Sequence, residues 1–421
     1  MASALFAAAA CGSSSEGTGG GGTGAGDVGG ASEGGSTTGP LVHMNEAELT
    51  RMVSYLASDE TDGRDEGTAG SQLARNFIID ELTRCGVSPA VAGSFEQPIT
   101  TGAGVNILGV IPGSDPALAD RHVLISAHYD HLGHGNGEIY NGADDNAAGV
   151  AIILGVACAL AESPPARSVI VASWDAEEPP TFLSDAMGSQ FYAQNPVVPL
   201  AQTDAALVLD LVGGDLWAGF EGHFVLGAEL SAEVMSAVAA APVPEGLPVY
   251  RAGLHMAEEQ PIGHQPWSDY DAFRNLGVPV LFFSNGQNRQ YHTAVDELAT
   301  INLPKMAREA LYLYAITQNL ASASATPVFV PTGADYLGDA TNMRQVLEQA
   351  VAAGGLIDSL GLGAQSRATL ETDLADVSAI EQSIAGGTAP TTEQIRRLRD
   401  GTQHIMCLAG TTYPESLCNQ F

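Results

Sequence analysis

Between Val105 and Gly286 the chain alternates short runs rich in β-branched residues with runs whose apolar residues recur at helical spacing. This alternation limits the fold more than any other feature. NILGVIPG (106–113), HVLISAH (122–128), RSVIVASW (167–174), ALVLDLVG (206–213) and VPVLFFSNG (278–286) read as strands. GVAIILGVACALAE (149–162), a stretch through Gln190–Gln194 and one through Ala228–Ala241 read as helices. Strands separated by helices are joined by crossovers rather than hairpins. The expected fold is therefore α/β, a three-layer α/β/α arrangement with a mostly parallel central sheet.

The flanks differ from this centre. NEAELTRMVSYLAS and SQLARNFIIDELTRCG are helical on either side of a polar GRDEGTAG loop (63–70). LPKMAREALYLYAITQNLAS (303–322) is a closing helix with Pro304 near its start. Beyond Thr326 the chain is rich in Ala and Leu and shows no strand pattern, so residues 326–421 are expected to form an appended C-terminal helical region. It carries no candidate ligand and is expected to be dispensable for chemistry. The expected organisation is 1–11 as a signal, 12–42 as a tether, 43–325 as the main domain and 326–421 as the helical region.

The first stretch, MASALFAAAACGSSS, places small residues before Cys11 and resembles a bacterial lipoprotein signal, although no Lys or Arg occurs before Arg51. Residues 12–42 are dominated by Gly, Ser and Thr and bury too little to fold, so they read as a flexible tether. Export with a lipid anchor at Cys11, or secretion, is the expected localisation. Charge agrees with a soluble exported domain: 49 acidic residues face 16 basic ones, a net charge of −33 at pH 7. Such a surplus disfavours nucleic acid and anionic membrane surfaces as partners. Membrane contact is expected only through the lipid anchor. Cys158 lies in an apolar helical pattern and is expected to be a core thiol. Cys407 and Cys418 flank a short loop and suit a disulfide in an oxidising compartment.

The residues able to do chemistry gather at one kind of position. His128 and Asp130 end one strand, Glu177 and Glu178 follow SVIVASWDA, Asp210 ends ALVLD, and His292 follows VPVLFFSNGQNRQY. Asp145, within Asp144-Asp145-Asn146, stands where a helix should begin. In open parallel sheets the carboxyl ends of the strands converge on the ligand site. Two His, two Asp and a Glu, with a second Glu beside it and no Cys, suit a pair of divalent metals better than one structural zinc. Each residue also has an ordinary alternative: a surface histidine, an acidic loop, or, for the Asp-Asp-Asn run, a helix cap. Asp210 resists such an explanation most, because an acid inside an apolar strand run is costly unless paired or metal-bound.

SAHYDH (126–131), NGADDNAAG (141–149), AEE (176–178), LDLVG (209–213), SDYDAFRNLGVP (268–279) and YHTAVDE (291–297) occur in this order. Together they resemble metallopeptidase family twenty-eight of clan MH, the co-catalytic di-zinc aminopeptidases, over about Met44 to Leu320. The resemblance implies the zinc exopeptidase fold, two zinc ions and a peptide substrate cleaved at its N-terminal residue. It implies one zinc on His128 and Asp210, the other on Glu178 and His292, and Asp145 bridging both. Asp130 would hold the His128 imidazole, Glu177 would be the general base for a metal-activated water, and Tyr291 a donor to the oxyanion. It also implies a cis peptide between Asp145 and Asn146. After AEE the chain departs from its relatives, with Pro179-Pro180-Thr-Phe-Leu-Ser-Asp before Gly188, so the substrate-side loop is its own. Two alternatives share the fold: a glutaminyl cyclase-like acyltransferase using one zinc, and a non-catalytic relative.

Overall fold

The computed structural model describes residues 40–260, 263–357 and 363–406. The expected signal, Cys11, nearly all of the tether, and Cys407 and Cys418 lie outside these residues. Seven strands make up most of the main sheet: β1 (Val105–Ile111), β2 (His122–His128), β3 (Ser168–Trp174), β4 (Thr203–Leu209), β5 (His223–Leu226), β6 (Val249–Ala252) and β7 (Val280–Ser284). Their order across the sheet is β1-β3-β2-β4-β7-β5-β6. The central neighbours β3, β2, β4 and β7 run parallel, as the crossovers require. Antiparallel pairs, β1 with β3 and β7 with β5, lie towards the two edges, so the sheet is mixed. The short strands Ser88–Pro89 and Glu96–Pro98 both pair with β1.

Side chains alternate along each strand between two cores, because successive Cβ atoms point to opposite faces. Val123, Ile125 and Ala127 of β2 join one core, with Val169 and Val171 of β3. Leu124 of β2 joins the other, with Ile170, Ala172 and Trp174 of β3. The first core is covered by helices α1 (Glu46–Leu56), α2 (Ala69–Arg84) and α3 (Ala148–Glu162), together with α5 and α8 described below. The segment Ala143–Glu162, α3 with the turn before it, has the length and apolarity of a membrane span, yet its apolar stretch is wholly buried, which is the pattern of a core helix in a three-layer fold. Its Cys158 corrects the expectation of a free core thiol: the sulfur is bonded to Cys85, just past α2. The partners are 73 residues apart in sequence, and only the packing of α2 on α3 brings them together.

The second core is covered by α4 (Gly188–Gln194) and, after α5 (Ala232–Ala240), by α6 (Leu254–Glu258) and α7 (Tyr270–Arg274). Helix α8 (Leu303–Ser322) closes the first layer as its sequence pattern indicated, with Asn302 accepting from the Lys305 N–H at its start. The C-terminal region is helical: α9 (Tyr336–Ala353), α10 (Gly363–Ala385) and α11 (Thr392–Met406) come after an irregular connection over 323–335. Val346 and Leu347 of α9, Val377 of α10 and Leu398 and Ile405 of α11 join the same core as Tyr250 of β6 and Met256 of α6. The apolar core thus continues across residue 325 without a break.

Candidate metal centre

The central parallel strands deliver the candidate residues to one end of the sheet. His128 is the last residue of β2, Glu177 and Glu178 leave β3 three and four residues beyond Trp174, and Asp210 directly follows β4. His292 comes from the loop after β7, and Asp145 from the turn before α3. All are buried. The Asp-Asp-Asn run does not cap α3, which begins at Ala148 with no side-chain cap. Instead, Asp144 accepts from the Gly214 N–H at 2.7 Å and from Asn288 Nδ2 at 2.7 Å, while Asn146 Nδ2 donates to the Leu209 carbonyl at 2.8 Å. The Asp296 carboxylate accepts the backbone N–H groups of Asp144 at 2.9 Å and Asp145 at 3.1 Å. The Asp145–Asn146 peptide is cis. These contacts aim the Asp145 side chain away from the helix and into the centre.

There, the two oxygens of Asp145 face different histidines. Oδ1 lies 3.3 Å from His128 Nε2, and Oδ2 lies 3.1 Å from His292 Nε2. Asp210 Oδ1 is 3.3 Å from His128 Nε2, and Glu178 Oε2 is 3.1 Å from His292 Nε2. Glu177 Oε2 stands farther from the same imidazole, 3.9 Å from His128 Nε2. Donor atoms converge here in two groups, His128–Glu177–Asp210 and His131–Asp145–Glu178. The first group includes Glu177 in place of Asp145. The distances favour Asp145 as the closer partner of His128. Asp130 is near His128 but not tightly on it: its Oδ1 is 3.6 Å from Nδ1, its own carbonyl is nearer at 3.3 Å, and its Oδ2 accepts the Glu178 N–H at 3.1 Å. Tyr291 stacks on His292 with ring centres 3.8 Å apart.

Electrostatics separates the neighbours. Burial favours a protonated Glu177 and, with Asp210, Asp269 and Glu178 nearby, raises its pKa well above the ordinary value despite His128. Burial would do the same to Glu178, but His292 and the hydrogen bond from His131 override it and hold the carboxyl at about 2. Asp145 is likewise held well below the ordinary range, against burial, by His128 and His292. Burial and the surrounding carboxylates push the Tyr291 hydroxyl well above its usual value, so it stays a donor.

The donor set suits bound cations. Asp130, Asp145, Glu177, Glu178, Asp210 and Asp269 bury six carboxyl groups here against the imidazoles of His128, His131 and His292. Such a surplus of buried acid is costly unless a positive charge compensates it. Oxygen and imidazole donors without thiolate suit zinc and similar divalent ions.

Four supporting residues escaped the sequence reading. His131 Nδ1–H donates to Glu178 Oε1 at 2.7 Å, although in the sequence His131 only ends the SAHYDH run. Arg64, fully buried, donates to the carbonyls of Tyr129 at 2.6 Å, Asn141 at 2.6 Å and Gly142 at 2.9 Å, and so braces both ligand loops. Asp296 positions the Asp145 turn, and Asp269 is raised to about 7 by burial, opposed by the nearby His128. An arginine in a polar loop or an acid in a motif carries no local signal of such long-range contacts. Beside the centre is a cleft of about 150 Å³ whose walls include Pro179, Phe182, Leu183, Gln265, Trp267 and Gln287. The unusual Pro179–Leu183 stretch thus forms one side of it.

The profile described as "Peptidase family M28" matches residues 106–317, which include every candidate ligand. The chain belongs to peptidase family M28. Among family relatives, leupeptin-inactivating enzyme 1 of Streptomyces exfoliatus is 25% identical over 286 residues, covering 62% of this chain and 58% of that protein. The chain spans between half and three-fifths of the length of the curated relatives it matches. In fold it is similar to the LapA aminopeptidase of Legionella pneumophila, with a TM-score of 0.53 and 17% identity over 68% of this chain and 74% of that one. It is also similar to a glutaminyl cyclase of Bacteroides thetaiotaomicron, with a TM-score of 0.50 and 17% identity over 66% of this chain and 98% of that one. At these identities the likeness is one of fold: the α/β layers and sheet of the zinc exopeptidases.

Proposed function

We propose that this protein is a two-zinc aminopeptidase that removes N-terminal residues from peptides. The observation that carries the reading is the placement of Asp145, one oxygen towards His128 and the other towards His292. His128 and Asp210 would hold one zinc, Glu178 and His292 the other, with Asp145 between them. His131 would fix one oxygen of Glu178 and leave the other for the metal. Two zinc ions would supply Lewis acidity that activates water and polarises a carbonyl. Glu177 Oε2, close to the ligands but set back from them, would take the water's proton and pass it to the leaving amine. The Tyr291 hydroxyl, kept protonated, would donate to the developing oxyanion. Asp130 would act at one remove, through His128 and the Glu178 N–H.

We propose further that the protein is exported and held to the cell envelope by a lipid on Cys11. The Cys85–Cys158 disulfide supports an oxidising compartment. Replacing Cys11 by Ala should move the protein from the membrane fraction to the soluble one; retention at the membrane would refute the anchor.

Zinc content and a panel of aminoacyl chromogenic substrates test the main reading together. Two zinc ions per chain and chelator-sensitive release of the chromophore are expected. One zinc per chain with cyclisation of an N-terminal glutamine would point to the acyltransferase alternative. No zinc and no turnover would point to a non-catalytic relative.

A further inference from the structure

One turn of α11, at the far end of the chain, reaches both walls of the cleft. Gln403 is buried, and its Nε2 donates to the carbonyls of Met256 at 3.4 Å and Ala257 at 3.2 Å on α6. The next α6 carbonyl, that of Glu258, accepts the N–H of Gln265 at 2.9 Å, and Gln265 lines one wall with Trp267. Three residues after Gln403, the Met406 carbonyl accepts the N–H of Gln287 at 3.0 Å. Gln287 lines the same cleft from another segment, the loop that carries Tyr291 and His292. The approach there is close: at Gly286, with φ of +84°, an added Cβ would stand 3.1 Å from the Met406 carbonyl oxygen. This helix lies outside the family match, which ends at residue 317.

We infer that α11 is a positioning element of the cleft, with Gln403 and the Met406 carbonyl tying the Gln265–Trp267 wall to the Gln287–His292 wall and so setting how wide the cleft stands. The inference rests on the proposed peptidase function and takes this cleft, which Glu177, Tyr291 and His292 also line, as the place where the substrate's terminal side chain binds. It replaces the expectation that the 326–421 region is dispensable. Apolar packing alone would attach α11 to the core through Leu398 and Ile405. It would not require a buried amide aimed at two backbone carbonyls, because burying an amide is favourable only when its hydrogen bonds are made.

The test compares Gln403→Met, which keeps the length of the side chain and loses the donor, with the full-length parent protein. Amide hydrogen exchange should quicken by about five- to tenfold in both wall segments, 265–267 and 286–291, and stay unchanged in α3. Zinc content should be unaltered. KM for the best aminoacyl substrate should rise by a similar factor with kcat within about twofold, because the cleft binds and the metals react. Unchanged exchange in the walls, or equal quickening throughout the protein, would overturn the inference. If Gln403→Met does not fold, native-state exchange of the parent protein decides: the Gln287 amide should open together with the α11 amides, and independent opening would overturn it. If the parent protein hydrolyses no aminoacyl substrate, the proposed function fails, and the exchange measurement still judges the role of α11.

Discussion

Glu177 and Glu178 are adjacent, both buried, and pushed in opposite directions: Glu177 towards its neutral form, Glu178 to about 2. The cause is the partner each meets. Glu178 has imidazoles on both oxygens, His131 at 2.7 Å and His292 at 3.1 Å. Glu177 approaches an imidazole only at 3.9 Å, and Asp210 and Asp269 add negative charge around it. In the proposed mechanism, a carboxyl kept basic would suit proton transfer, and one held as an anion would suit metal coordination.

On the proposed two-zinc mechanism, Glu177→Gln is expected to keep both zinc ions and lose turnover by about 10²–10⁴, the usual contribution of general acid-base catalysis. Glu178→Gln should weaken one zinc and shift the activity to higher added zinc. A zinc titration of both variants on one aminoacyl substrate checks the assignment. Zinc rescue of Glu177→Gln, rather than of Glu178→Gln, would reverse the two roles.

Asp145 and His131 differ in how much of the centre depends on them. Asp145→Ala should lose both ions or keep a single weak one, since its oxygens face both histidines. His131→Phe should keep two ions but bind the second about 10–100-fold more weakly, the common result of removing a group that orients a ligand. Competition with a chromogenic chelator measures both. Two tightly bound ions in Asp145→Ala would remove it from the bridging position.

Away from the metals, Asp339 of α9 makes stability depend on pH. Burial raises its carboxyl to about 7, although His255 and the Gly253 N–H oppose that rise. Its Oδ1 accepts the Gly253 N–H at 2.7 Å, and His255 Nε2 stands 3.8 Å from Oδ2, with Glu229 on the other side of the ring. A folded pKa above the unfolded one contributes stability that is complete below the ordinary aspartate value and is lost as pH rises through 7. His255 is also raised, by Glu229 and Asp339 against its burial, so its contribution fades in the same direction. Between pH 5 and 8 the parent protein should therefore lose on the order of 2–4 kcal/mol relative to Asp339→Asn. Denaturant melts across that range check this, and parallel pH profiles for the two proteins would contradict it.

The disulfide joins the end of α2 to the C-terminal half of α3, the helix whose other end follows the turn that carries Asp145. Cys85→Ala with Cys158→Ala should cost about 2–4 kcal/mol by freeing the unfolded chain. Zinc content should be unchanged when the protein is folded, because neither sulfur faces the centre. Denaturant unfolding with parallel zinc analysis tests both statements; loss of zinc from a folded variant would show that α3 depends on the bond for its register.

By itself the sequence determined the layered α/β fold and the gathering of His128, Asp145, Glu177, Glu178, Asp210 and His292. Both depend on local regularities: the two-residue period that assigns strand faces, and the rule that parallel strands deliver their following residues to one end of the sheet. The cis peptide and the order of motifs came from resemblance, and the first of these is present in the structure. Only the tertiary structure decided which partners meet across long stretches of chain. Arg64 finds carbonyls near residue 141, Cys85 finds Cys158, and the turn at Gln403–Met406 finds both walls of the cleft. No spacing along the chain encodes these pairs. Each depends on two surfaces, made by distant elements, coming within hydrogen-bond or covalent reach once the cores have packed.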